Sequence, residues 1–211
     1  MRLYSRLFHS RRRRRELPAL TANLCDDLED VRRLWFHSCL ESLKETAGYR
    51  AAQPLSDDLA RKTACTVKAY QATLLSRLLR EHAYLAPSVA EEFVPLLCEQ
   101  ILGEELHDCI LYYKRYSEAG EGQQLSLFSC DVAQHFLGCE TPLPESLVVS
   151  LRCCSLLVDL THMCVAKTFD DHETVRTLED RLRNGYENKG QDRRDNPLAF
   201  LRGLYGGGNE E

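Results

Sequence analysis

The sequence predicts a mainly α protein: a helical bundle-like domain over residues 1–140, a small β-rich domain with a short helix over 141–186, and a flexible tail over 187–211. Three observations predict this. Apolar residues recur at helical spacing through most of the first 137 residues. Behind Pro142 and Pro144 the spacing switches to strict alternation between Ser146 and Arg152. Gly206, Gly207 and Gly208 then punctuate a polar terminal stretch.

Residues 3–10 predict a short helix, and Leu17-Pro18-Ala19-Leu20 an extended turn into a longer one capped by Asn23. Leu24, Leu28, Val31 and Trp35 form one apolar stripe on that helix. A central helix starts after Pro54, with Ser56, Asp57 and Asp58 at its positive end and Arg77 and Arg80 at its negative end. Val67, Tyr70, Leu74 and Leu78 run along one face and form its predicted core. Ser88 with Glu91 has capping-box spacing and opens a third helix, which Pro95 should kink and which continues to Gly120. Residues 123–137 predict a fourth.

Beyond the prolines, Leu147, Val149 and Leu151 alternate with Val148, Ser150 and Arg152, the period of a strand with one buried face. A second strand is expected at 162–167. Asp170 with Glu173 then opens a short helix carrying Val175, Leu178 and Leu182, with Gly185 as its stop.

Charge is unevenly placed along the 211 residues. The chain carries a net charge of -5, and Arg2, Arg6 and Arg11 to Arg15 precede the first acid, Glu16. Removing those seven positive charges from the total leaves -12 on residues 16–211. A body that acidic repels phosphate, so Arg11, Arg12, Arg13, Arg14 and Arg15 are the candidate contacts to DNA or to a partner. The same arginines also fit a transit peptide or a solvated charge run. The ten cysteines include no Cys-x-x-Cys and sit among apolar residues at helical spacing, which predicts buried thiols in a reducing compartment. No apolar run approaches the roughly 20 residues that span a bilayer.

Catalytic patterns are present only in fragments. Glu104-x-x-His107 and Asp159-x-x-His162 have di-iron bundle spacing, but the second pair falls in a predicted strand, where the two would not share a face. Arg32-x4-His37 and Arg77-x4-His82 are similar to the paired element of HEPN ribonucleases, and read equally as cations at helix ends. Glu104-Glu105-x-x-Asp108 resembles half of the magnesium motif of all-α nucleotide pyrophosphohydrolases, with Pro95 where the upstream half needs a carboxylate. No catalytic residues, metal or cofactor are therefore expected.

Taken in order, several segments resemble the first-subunit family of the GINS complex, the Psf-type subunit of the eukaryotic replicative helicase. They are Leu7-Phe8-His9, Leu17-Pro18-Ala19-Leu20, Leu28-Glu29-Asp30 with Leu34, and Cys65-Thr66-Val67 leading to Arg77-Leu78-Leu79-Arg80. Glu104-Glu105-Leu106, Tyr113-Lys114-Arg115, the run from Pro142 to Cys153, and Glu179 to Gly185 follow. The other GINS subunit with its helical domain first, the Sld-type one, is the alternative.

The resemblance implies a non-catalytic scaffold in the nucleus that supports initiation and elongation of DNA replication. It implies a heterotetramer with the other three GINS subunits, and contacts to the Mcm helicase ring, a RecJ-like helicase cofactor and leading-strand DNA polymerase components. DNA would be met indirectly, and no membrane is involved. Leu147, Val149 and Leu151 are the expected partner contacts of the second domain.

Overall fold

In a computed structural model the described residues are 19–39, 57–103, 106–137 and 144–187, apart from 20, 38 and 83. The predicted helix at 3–10, the arginine run Arg11–Arg15 and residues 188–211 lie outside them. Helix α1 runs over 21–37, and is followed by α2 (Asp57–Glu81), α3 (Pro87–Leu102), α4 (Leu106–Glu118), α5 (Glu121–Leu137), α6 (Pro144–Thr168) and α7 (His172–Glu187). No strand occurs among the described residues.

Helix α2 is the hub. It packs against α3, α4, α5 and α6, while α5 also packs on α6 and α6 on α7. Its first turn carries Asp57 and Asp58 and its last Arg80, each charge opposed to the local end of the helix dipole. Between these ends thirteen of its 25 residues are buried, so its apolar surface wraps well beyond one stripe. Val67, Tyr70, Leu74 and Leu78 all lie in the core. Buried Thr63, Thr66 and Thr73 satisfy their hydroxyls by donating to the carbonyls four residues back, Leu59, Lys62 and Ala69.

Aromatic rings join the helices at the centre. Phe128 of α5 stacks on Tyr70 of α2 with centroids 4.1 Å apart, and meets Trp35 of α1 and Tyr116 of α4 at 6.0 Å each. The Trp35 indole N–H donates to the Cys153 carbonyl of α6 at 2.7 Å, so the one polar atom of the ring is satisfied inside the core. Leu24, Leu28 and Val31 bury the rest of the α1 stripe.

The structure corrects several element boundaries. Helix α1 is already formed at residue 21, so Asn23 lies within it. The third predicted helix is two: Gly103, at φ 57°, closes α3 with its N–H on the Glu99 carbonyl, and α4 starts afresh. Ser88 and Glu91 do not box its start, because Ala86 takes the cap position in extended conformation and Pro87 the first turn. Pro95 sits within α3. Asp171, one residue after the predicted cap, accepts the Thr174 N–H at 3.1 Å and caps α7, while Asp170 turns the chain at φ 57°. Helix α7 continues through Gly185 to Glu187.

The largest correction concerns 144–187. Both strands read from alternation are parts of α6, a helix of 25 residues that begins at Pro144. Alternating apolar residues over one short stretch fit either structure when the neighbouring positions are apolar too; length arbitrates, and no Gly or Pro interrupts 145–168. Contrary to the reading that no apolar run approaches the length of a bilayer span, Leu147–Thr168 is long and apolar enough to cross a membrane, with a mean hydropathy of 1.5. In the fold its buried residues, among them Cys154, Leu157, Leu160 and Val165, belong to the same core as α1, α2 and α5. The division at 140 and 141 falls in residues outside those described, and the helices on either side share one core.

Two outcomes follow. Phe128→Ala should destabilise the protein by about 3 to 5 kcal/mol, read from urea denaturation, because the ring touches three helices and its loss leaves a cavity. A chain ending at residue 143 should lose cooperative unfolding, followed by near-ultraviolet circular dichroism, because α1, α2 and α5 would expose the faces that α6 covers.

Candidate functional site

Three features of the bundle carry side chains beyond those needed for an apolar core. The first is a cleft of 460 Å³ between α1 and α2. Ala60 and Ala64 stand one turn apart on α2 and leave space that longer side chains would fill. Buried Trp35 and Val67, with Phe36, are its apolar lining. Arg32, Arg33 and His37 of α1 and Lys68 of α2 are also among its lining residues, together with the carboxylate of Glu29. Arg32 is positioned from below: its Nη1 donates to Gln71 Oε1 at 2.9 Å, and Gln71 Nε2 donates to Thr161 Oγ1 at 3.2 Å. That relay ties the cleft to α6 through the core. Arg33 pairs with Glu29 and lies 3.8 Å from Asp30.

The second feature is a polar seam between α2, α4 and α5. Asp131 is buried, and accepts from Arg115 Nη1 at 2.7 and 3.0 Å and from the Tyr116 hydroxyl at 2.7 Å. Burial and the adjacent Asp131 carboxylate hold the Tyr116 phenol well above its usual range. One turn on, His135 lies 3.1 Å from Thr66 Oγ1 through Nδ1 and 3.3 Å from the Tyr112 hydroxyl through Nε2. The Thr66 hydroxyl proton is already given to Lys62, so Thr66 accepts from Nδ1–H and Nε2 accepts from Tyr112. Every partner in this seam is accounted for by another, the arrangement of a structural network.

The third feature joins the end of α2 to the turn between α6 and α7. The rings of His82 and His162 lie 4.7 Å apart, Tyr84 stacks on Phe169 at 5.1 Å, and the Tyr84 hydroxyl donates to Asp171 at 2.8 Å. Burial and Asp171 together push the Tyr84 phenol up to about 12. The Nε2 atom of His162 is buried without a hydrogen-bond partner.

The sequence-predicted groups separate accordingly. Arg32 and His37 both line the cleft, whereas Arg77 contacts Gln124 at 3.3 Å and His82 stacks on Tyr84 and His162. Asp159 and His162 do share a helix, contrary to the strand reading, but Asp159 pairs with Arg181 at 3.0 Å. Asp108 pairs with Arg61 at 2.8 Å, and Glu104 and Glu105 lie outside the described residues. Among the described residues no group of three or more His, Cys, Asp or Glu could hold a metal ion. The nine described cysteines are free thiols; burial, with Cys153 alongside, holds the Cys39 thiol well above its usual range.

Leu147, Val149 and Leu151 do not share a face, because a helix advances 100° per residue where a strand alternates. Val149 packs on the core; Val148 instead stands exposed beside Leu151, and Leu147 is half-buried next to them. Periodicity at 3.6 over 144–168 would have found Val148. The cleft had a weaker signal, Ala60 and Ala64 four residues apart on α2. The chain matches no protein-family model, no curated protein and no solved structure.

The histidines set a pH dependence. Burial lowers His135 and His162 below the ordinary value of 6.5, and at His162 the facing His82, Arg181 and Arg77 add to the effect against Asp171. Below about pH 6.5 the unfolded chain then binds more protons than the folded one, so stability rises with pH in that window. It is full above 6.5 and is lost as pH falls through that value toward the folded pKa values. Urea midpoints should fall between about pH 7.5 and about pH 5.5, and His162→Phe should shrink the fall.

Proposed function

We propose that this protein is a non-catalytic helical assembly subunit, and that within this class it serves as a GINS-type subunit supporting the replicative helicase in the nucleus. The observation that carries the broader reading is the apolar patch at the start of α6. Val148 and Leu151 are 52% and 43% exposed, three residues apart on a helix whose opposite face is core. Apolar residues that neighbour one another on a helix, with Leu147 half-buried beside them, form a surface suited to a partner's apolar side chains. The polar seam between α2, α4 and α5 supports it too, since its partners are consumed by one another.

The narrower identification rests on the ordered resemblance over α1, α2 and α4, and on the run from Pro142 to Cys153. The helical course of 144–187 takes the β-rich second domain out of its support. On this reading the partners are the other three GINS subunits, with the Mcm ring, the RecJ-like cofactor and leading-strand polymerase components beyond them, and the arginines 11–15 face DNA or a neighbouring subunit.

Affinity purification of the full chain from its own cells, with mass spectrometry, separates the two levels. Recovery of the three other GINS subunits supports the narrow reading. Recovery of a different stoichiometric partner, lost in Val148→Asp/Leu151→Asp with the thermal midpoint unchanged, keeps the broad reading and discards GINS. A chain that stays monomeric and partnerless, with the double variant indistinguishable from wild type, sinks both.

A further inference from the structure

The apolar patch on α6 continues the strip of that helix that α7 covers. Only residues 169–171 separate the two helices, so α7 folds back along α6 as an antiparallel neighbour. Arg181 pairs with Asp159 at 3.0 Å, the one nine residues into α7 and the other nine before the end of α6, which fixes the register. On that register Glu187, the last residue of α7, stands level with Cys153. At a rise of about 1.5 Å per residue, Leu151 lies about 3 Å and Val148 about 7.5 Å beyond that level. Val148 also stands within about 20° of Asp159 around the helix axis, because the eleven residues between their positions come close to three full turns. It belongs to the strip that α7 covers at Asp159, and it is 52% exposed where α7 has ended. Leu151 flanks it.

The chain that leaves α7 carries apolar residues in one block. Residues 188–196 hold no large apolar side chain, and neither do 206–211. Between them Leu198, Phe200, Leu201, Leu204 and Tyr205 crowd into eight positions. The nine residues 188–196 reach about 30 Å at full extension, several times the axial distance from the end of α7 to Val148. So short a tether presents the block to the patch at an effective concentration on the order of millimolar, and few contacts then suffice to hold it.

We propose that residues 197–205 dock on the patch of Val148 and Leu151 within the same chain, extending the cover that α7 provides, and that a partner binding there displaces them. The docking stands on the register of α6 and α7 and on where α7 ends. The displacement rests on the reading of the patch as a partner surface.

A fluorescently labelled peptide of residues 196–205 is added to full-length proteins and followed by anisotropy. It should bind the Leu201→Asp/Leu204→Asp protein saturably and one to one, because a carboxylate cannot take the place of a buried leucine and the tethered segment is then released. Wild type should bind it at least about tenfold more weakly, since its own segment occupies the patch. Adding Val148→Asp/Leu151→Asp to the tail variant should abolish binding; if that protein does not fold by circular dichroism, Val148→Ser/Leu151→Ser serves the same purpose. Failure of the tail variant to bind the peptide, equal binding by wild type, or binding undiminished by the patch substitutions overturns the proposal. So does a wild type that sediments as a dimer and returns to monomer with Leu201→Asp/Leu204→Asp, the mark of a segment exchanged between two copies. A partner recovered from cells should be captured more fully by the tail variant than by wild type, and equal capture overturns the displacement. A chain that has no partner but passes the peptide test supports the docking and sinks the assembly reading alone.

Discussion

The indole N–H of Trp35 has to find an acceptor inside the core, and it finds the Cys153 carbonyl, 118 residues away in sequence. That one bond positions α1 against α6. The ring also meets Phe128, which stacks on Tyr70, which meets Tyr116 edge-on at 5.7 Å. Four helices converge on these rings and a fifth is tied to them by the hydrogen bond. Large rings carry more buried area than aliphatic side chains and prefer offset or edge-on pairings, so they constrain relative helix positions as well as contributing burial.

Around that centre the polar groups are grouped rather than scattered. Gln71 lies fully buried in α2 and is acceptable there because it receives Arg32 on one side and donates to Thr161 on the other. Asp131 is acceptable for the same reason, with Arg115 and Tyr116 converging on it. A buried carboxylate that lost either partner would pay its desolvation without return, so such groups select one arrangement of helices over others of similar apolar burial. The seam at α4 and α5 and the relay from α1 to α6 thus help set the register of the bundle that the aromatic rings hold together.

The surface left over is chemically divided. Acidic residues dominate the chain beyond Glu16; Glu29, Arg32, Arg33 and Lys68 line the α1–α2 cleft beside apolar side chains; and the first turns of α6 present Val148 and Leu151 to solvent. The apolar patch offers burial without charge, whereas the cleft is lined by charged and apolar side chains together.

Local pattern determined much by itself. The α1 stripe, the dipole-matched ends of α2, the core positions Val67, Tyr70, Leu74 and Leu78, and the helix near 123–137 are legible because an amphipathic helix repeats its apolar residues and charges its ends to suit its dipole. The candidate site was legible only as fragments, in Arg32 and His37 and in the apolar run after Pro144. Tertiary structure decided the rest. The segment from Leu147 to Leu151 satisfies strand and helix periods alike when read alone; α6 emerges because a continuous helix can bury Ser150, Cys154, Leu157 and Thr161 against α2 and α5 in one core. The cleft, likewise, is a property of two helices facing each other, since Ala60 and Ala64 leave an empty space only when Trp35 and Arg32 stand opposite, and no window of sequence contains both sides.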